Sequence, residues 1–277
     1  LKVQRPKSWK DACRRLRWWF PTDDLLVSYS PKTGQQRYDA LVKSKSVDTH
    51  RNYLKEARLF LGWCVEKGWI RTNPLAAVKP VGRRRKGQRK KLRLSELTKW
   101  LPVAFDLAEK GDDGALVLLV VFYQAVRIED VVAMKVRDVD TFNGRTVVHV
   151  AESDYSGKTA STRRATVVYE QRLARLLQAR VEGQDADGWL FPADSKSKHR
   201  IRDQRPAMRR VCKKAGVSYA SPYSLKGAGM TLQAVLGATR EQVAQSAGHA
   251  NLASLPHYVD DAVWEDVARR QVAESLN

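Results

Sequence analysis

Tyr258 follows His249 by nine residues, and the stretch between them holds Pro256-His257, an irregular connection able to return the phenol to the imidazole's neighbourhood. A phenol oxygen can attack an electrophile, and an imidazole nearby can donate a hydrogen bond to the group attacked. Taken singly, the histidine reads as well as a structural residue, and the tyrosine as a half-buried ring with its hydroxyl satisfied. Arg127 comes at the end of the apolar run Ala115 to Val126 and just before Asp130-Val131-Val132-Ala133-Met134, at the edge of a core helix. Desolvating a guanidinium is costly unless an anion meets it. A phosphate is one such anion, and a salt bridge to Glu129 or Asp130 is the other open reading. Lys158, in Gly157-Lys158-Thr159, could enter a groove and donate a proton, or be a solvated loop lysine. The glycine spacing of a nucleotide-binding P-loop is absent upstream.

The elements that must carry these groups are mostly helical. Apolar residues at helical spacing predict helices over Ser8 to Trp19 and Thr49 to Gly68, with Asp48 or Thr49 as cap and a loop around Pro31 and Gly34 between them. After Asn73-Pro74 the chain reaches Arg83-Arg84-Arg85-Lys86-Gly87-Gln88-Arg89-Lys90-Lys91, which has no apolar residue to bury and repels itself. It reads as a linker, either a solvated hinge or a strap along a phosphate backbone. Beyond Leu92, Ser95 is a plausible cap for a helix from Glu96 to Lys110, and a core helix spans about Ala115 to Val136 with an interruption near Arg127. Thr146 to Val150 and Arg164 to Tyr169 form a hairpin with a long loop, Glu152 to Arg163, and helices resume at Glu170 and Arg202. The domains are thus residues 1–80, a basic linker at 81–92, and residues 93–277. The fold class is mainly α with a small β-hairpin or sheet.

Fifty Lys plus Arg against 30 Asp plus Glu give a formal charge of +20 and a pI near 10.1. An excess this large favours a polyanionic partner, nucleic acid first. Cys13, Cys64 and Cys212 are far apart, odd in number and without metal-ligand spacing, which fits a reducing cytoplasm and predicts neither disulfide framework nor metal. The longest apolar stretch is well short of the ~20 residues that span a bilayer, and the N-terminus has no signal-peptide core, so neither membrane insertion nor export is expected.

Taken together, these residues resemble the tyrosine recombinase (phage integrase) family over nearly the whole chain. Val126-Arg127-Ile128-Glu129-Asp130-Val131-Val132-Ala133-Met134-Lys135-Val136-Arg137-Asp138-Val139-Asp140 is similar to the family's first-arginine box, the most specific of the matches. The helix ending before Asn73-Pro74 resembles that of the family's core-binding, SAM-like domain. Lys158 matches the β-hairpin lysine, and Gly248-His249 with Tyr258 matches the Gly-His and the nucleophile at the usual separation. One box departs: where the family has His-x-x-Arg, this chain has Tyr223-Ser224-Leu225-Lys226. Lysine keeps the charge but loses the two-pronged fork, at a cost of ~1 to 3 kcal/mol in transition-state binding, or about ten- to a hundredfold in rate.

The resemblance implies an N-terminal helical core-binding domain and a C-terminal recombinase domain that grip double-stranded DNA. Tyr258 attacks the scissile phosphate to give a 3′-phosphotyrosyl link, and strands are exchanged through a Holliday junction. Arg127 and Lys226 would neutralise the phosphate, His249 would hydrogen-bond it, Tyr223 would add a contact or assist proton transfer, and Lys158 would protonate the leaving 5′-oxygen. Asp130 would orient its neighbours, while Arg83, Arg84, Arg85, Lys86, Arg89, Lys90 and Lys91 would follow the backbone. No cofactor or metal is implied. The implied assembly is a homotetramer on synapsed DNA, monomeric or dimeric when free, associated with the nucleoid and open to an accessory recombinase or directionality factor. The mobile-element settings are integration, transposition, resolution and inversion. The alternatives are a catalytically weak or silent DNA-binding relative, and a type IB topoisomerase-like enzyme that nicks and swivels.

Overall fold

A computed structural model of the chain describes residues 6–21, 29–83, 92–150, 164–193, 203–249, 251–260 and 263–266. The chain divides into two compact units, Leu1–Gly87 and Gln88–Asn277.

The first unit contains α1 (Pro6–Trp19), α2 (Pro31–Ser44) and α3 (Val47–Glu66) around a core that includes Trp19, Tyr38, Leu41, Leu54, Leu61 and Leu75. The α2 helix occupies the stretch that composition assigns to a loop. Pro31 sits in the first turn, where its missing N–H costs nothing, and the Ser30 side chain accepts the Thr33 N–H at 3.1 Å. Gly34 is buried against Leu75, and a β-carbon there would lie 2.5 Å from Leu75 Cδ2. The glycine therefore marks a close packing contact and does not end a helix. The Asn73-Pro74 turn is clasped to α3: Asn73 Nδ2 donates to the Arg58 carbonyl at 3.0 Å, and the Arg58 guanidinium donates to the carbonyls of Leu75, Ala76 and Val78.

A buried relay closes this unit. The Val81 N–H donates to the Tyr38 hydroxyl at 3.1 Å, and that hydroxyl lies 2.9 Å from His50 Nδ1. The network is satisfied with Nδ1 as the acceptor.

In the second unit α5 (Asp113–Tyr123) is the central element, buried almost throughout, with α4 (Leu94–Glu109), α7 (Gln171–Val181), α8 (Arg205–Lys214) and α9 (Ser224–Val235) packed on it. Asp112, not an apolar residue, opens α5 by accepting the Ala115 N–H at 3.1 Å. The cap of α4 is Arg93, whose N–H the Glu96 carboxylate accepts at 2.9 Å, so the expected Ser95 cap lies inside the helix. The expected long helix after Ala115 ends at Tyr123. A short α6 (Ile128–Val131) and a 3-10 turn at Val136–Asp138 follow it.

The sheet has three antiparallel strands in the order β1 (Val139–Phe142), β2 (Arg145–Val150), β3 (Arg164–Val167). Val148 pairs with Val139 on one side and Thr166 on the other. The hairpin expected from the sequence is β2 with β3. β1 is an added edge strand whose Asp140, Thr141 and Phe142 are exposed and so give no alternation to read. The hairpin loop, with Lys158, lies outside the described residues. α10 (Arg240–Ser246) and a 3-10 turn at Leu252–His257 lead to Tyr258, and 263–266 is helical.

α5 and α9 cross closely: a β-carbon on Gly229 would lie 1.9 Å from the Phe122 carbonyl oxygen. Gly229→Ala must push the helices apart, and a destabilisation of ~3 kcal/mol is expected in denaturant unfolding. In contrast, Gly62 in α3 has nothing within 4 Å of such an atom, and Gly62→Ala should stabilise by ~0.5 to 1 kcal/mol.

Burial, with the Arg51 charge next, holds His50 below the ordinary imidazole value of 6.5. The unfolded chain therefore binds a proton at higher pH than the folded one, so this contribution is complete above pH 6.5 and is lost as pH falls toward the folded-state value. Urea midpoints measured at pH 7.5 and pH 5 should show a larger acid loss in the natural protein than in His50→Gln.

Candidate active site

Three elements bring the C-terminal candidates together. α10 begins with a capping box in which Thr239 and Gln242 exchange backbone and side-chain hydrogen bonds. It ends at Gly248, whose positive φ of 64° is a conformation glycine adopts without strain. The Gly248 N–H donates to the Gln245 carbonyl at 3.1 Å and the His249 N–H to the Ala244 carbonyl at 2.8 Å, the paired bonds of a Schellman ending. His249 is thus placed by the way the helix stops.

Tyr258 ends the 3-10 turn at Leu252–His257, with its N–H donating to the Leu255 carbonyl at 2.8 Å. The connection that the sequence shows as irregular is therefore a hydrogen-bonded turn. The Tyr258 and His249 rings meet edge to face, centroids 5.1 Å apart and planes at 81°. The phenol ring also lies over Gly227 of α9, where an added β-carbon would sit 3.4 Å from Tyr258 Cδ1. Thr231, one turn further along α9, shares its hydroxyl proton between the carbonyls of Gly227, at 3.0 Å, and Tyr258, at 3.3 Å.

Lys226 precedes Gly227 and is 5 % exposed. Its ammonium donates to the Ala247 carbonyl at 2.7 Å, on the last turn before Gly248-His249. An ammonium has three protons, so this bond fixes one face of the group and ties α9 to the turn carrying the histidine.

Arg127 reaches the same neighbourhood along another route. Ala125 has a φ of 49°, in the left-handed region, and turns the chain out of α5. Its methyl is fully buried in a small cluster with Met230 and Ala234 of α9, Val243 and Ala244 of α10, and Leu255 and Val259 beside Tyr258. Two residues later Arg127 caps α6 and is exposed. Its guanidinium makes no hydrogen bond or ion pair among the described residues, so neither carboxylate that could have neutralised it does so. Asp130 is half-buried in α6.

Tyr223 immediately precedes α9, is 51 % exposed, and donates its hydroxyl proton to the Glu129 carboxylate. Arg83 is exposed, whereas Arg84, Arg85, Lys86, Arg89, Lys90 and Lys91 lie outside the described residues. The structure therefore brings Tyr258, His249 and Lys226 together, with Arg127 linked through the Ala125 cluster.

Thr231, Ala125 and Gly229 carry this arrangement without having been singled out in the sequence, whereas Glu129, read there as a possible partner of Arg127, accepts from Tyr223 instead. Their partners are far away in the chain, and nothing local marks them. Among the described residues no three His, Cys, Asp or Glu side chains gather into a metal-sized group. None of the described helices is long and apolar enough to cross a membrane.

The comparisons with known proteins agree with one another on the fold. No curated protein sequence matches the chain. Among solved structures it is similar to a lambda integrase dimer bound to a COC′ core site, at 16 % identity and a TM-score of 0.68 over 92 % of this chain and 72 % of that one. It is similar also to the Tn1549 transposon integrase in complex with circular intermediate DNA, at 16 % identity and 0.67 over 96 % and 93 %. The XerH site-specific recombinase bound to a palindromic difH substrate matches at 16 % identity and 0.66 over 87 % and 72 %. At these identities the likeness is one of fold. The family model described as the phage integrase family matches residues 106–264, more than half of the chain, and spans Arg127, Lys226, His249 and Tyr258. The chain belongs to the phage integrase family.

Proposed function

We propose that the chain is a site-specific DNA recombinase that cuts and rejoins strands through a 3′-phosphotyrosyl intermediate. The observation that carries the reading is the seat of Tyr258: a phenol against the His249 ring and over Gly227, the residue that follows the buried Lys226. A nucleophile packed this way needs little reorganisation to meet a phosphate, which is how orientation lowers a barrier.

In the proposed reaction the Tyr258 oxygen bonds to phosphorus as the phosphorus–O5′ bond breaks. The phenol proton passes to solvent, and the departing 5′-oxygen takes a proton from Lys158, which recovers it from the 5′-hydroxyl that attacks next. A 5′-hydroxyl of the partner strand then attacks the phosphotyrosine, restores the phosphodiester and returns Tyr258. One phosphoester bond forms for each that breaks, so no nucleotide triphosphate is consumed. Arg127 and Lys226 face the phosphate as it gains charge, and His249 donates to one of its oxygens. The basic segment at 83–91 follows the DNA backbone, and four protomers act on two paired duplexes.

A second reading, a catalytically silent DNA-binding relative, draws on Lys226 and Tyr223, which are both engaged with other groups of the chain. The two readings separate on a pool of nicked duplexes of randomised sequence, from which covalent protein–DNA adducts are captured on denaturing gels and sequenced. The natural protein should yield adducts enriched in one sequence, and Tyr258→Phe should yield none. If neither the natural protein nor Lys226→Arg forms an adduct, the enzyme reading fails and the silent one stands. Supercoil relaxation without recombinant products would point to a topoisomerase.

Lys226→Met keeps the length of the side chain and removes its charge. It should slow adduct formation by about ten- to a hundredfold in single-turnover assays on the selected duplex while duplex affinity changes little.

A further inference from the structure

We infer that Tyr223 is a positioning residue acting through Glu129: its hydroxyl holds the Glu129 carboxylate away from Arg127 and so keeps that guanidinium open to a phosphate. The inference rests on the recombinase reading of the site.

A phenol has one proton to donate, and that of Tyr223 goes to Glu129. Hydrogen bonds to a carboxylate are roughly twice as strong as neutral ones, so the donor is committed. The bond joins residues 94 apart in the chain, the cap of α9 and the first turn of α6. Arg127 is the cap of that same α6, two residues before Glu129. Inside a helix such positions face apart, but the Arg127 backbone is extended, with φ −73° and ψ 143°, and its side chain is not confined to the helical spacing.

Two arginines, Arg127 and Arg205, bear on the argument. Arg205 is held by Asp203, Nε to Oδ1 and Nη2 to Oδ2, each at 2.9 Å. Arg127 has no acceptor among the described residues. A Glu129 carboxylate released from Tyr223 therefore finds Arg127, and a phosphate would then have to displace it. The hydroxyl at 223 keeps an internal anion from occupying the place of the external one.

The inference makes a signed prediction for two substitutions and their combination. Tyr223→Phe should slow adduct formation on the selected nicked duplex by about two- to fivefold, the value of an exposed ion pair. Glu129→Gln should react at the natural rate or faster, and Tyr223→Phe with Glu129→Gln should regain that rate. If the double variant stays as slow as Tyr223→Phe, or if Tyr223→Phe is not slow, the inference is wrong and Tyr223 either touches the phosphate itself or does nothing there. A crystal structure of DNA-free Tyr223→Phe decides the matter without any chemistry: Glu129 paired with Arg127 supports the inference, and Glu129 elsewhere overturns it. Failure of the natural protein to form an adduct would instead count against the recombinase reading, and the crystal structure would still decide the role of Tyr223.

Discussion

The position of the site depends on how closely two helices approach. At Gly229 the α9 backbone meets the Phe122 carbonyl of α5 with no room for a single added carbon. Lys226 lies one turn before this crossing on α9, and Arg127 five residues beyond Phe122 on the chain leaving α5. The separation of the backbone positions that carry the two proposed phosphate-facing cations is therefore set by a contact between backbones, which is stiffer than any contact between long side chains. Ala125 adds to this by turning the chain in the left-handed region while its methyl stays buried against α9. A non-glycine residue in that conformation is held by its surroundings, and here the surroundings are the helices that carry the rest of the site.

Among the described residues the second unit packs its apolar side chains in two clusters. The larger surrounds α5 and takes in α4, α7, α8 and the sheet. The smaller one gathers Ala125, parts of α9 and α10, Leu255 and Val259, with the Tyr258 ring packed on its edge. The nucleophile candidate thus belongs to a small local core with few apolar residues, while the scaffold that fixes α5 is much larger. Such a division lets the segment carrying the tyrosine have a local stability of its own, below that of the unit as a whole.

Much of this plan was legible in the amino-acid sequence, and what escaped has a common cause. The α3 helix came from the helical spacing of its apolar residues, α5 from a nearly unbroken apolar run, and the β2–β3 hairpin from two β-rich segments around a polar stretch with a glycine. α2 was hidden by Pro31 and Gly34, which read as a loop until Ser30 is seen to cap the helix and Leu75 to fill the space over the glycine. β1 was hidden because three of its four residues face solvent. The site candidates Tyr258, His249 and Arg127 were picked out by type, order and spacing, and Lys226 by the resemblance of its stretch to the family's His-x-x-Arg box. What spacing could not give was how they are held: the Lys226 bond to Ala247, the Thr231 bond to the Tyr258 carbonyl and the Tyr223 bond to Glu129 each join residues that no local pattern connects.

The Schellman ending of α10 has one more consequence. His249 is placed by backbone hydrogen bonds from its own N–H and that of Gly248, and its ring then meets that of Tyr258. Position and chemistry are therefore separable at this point of the chain. The helix end acts as a fixed mount, and a different side chain set on it would arrive at the same place with a different reactivity.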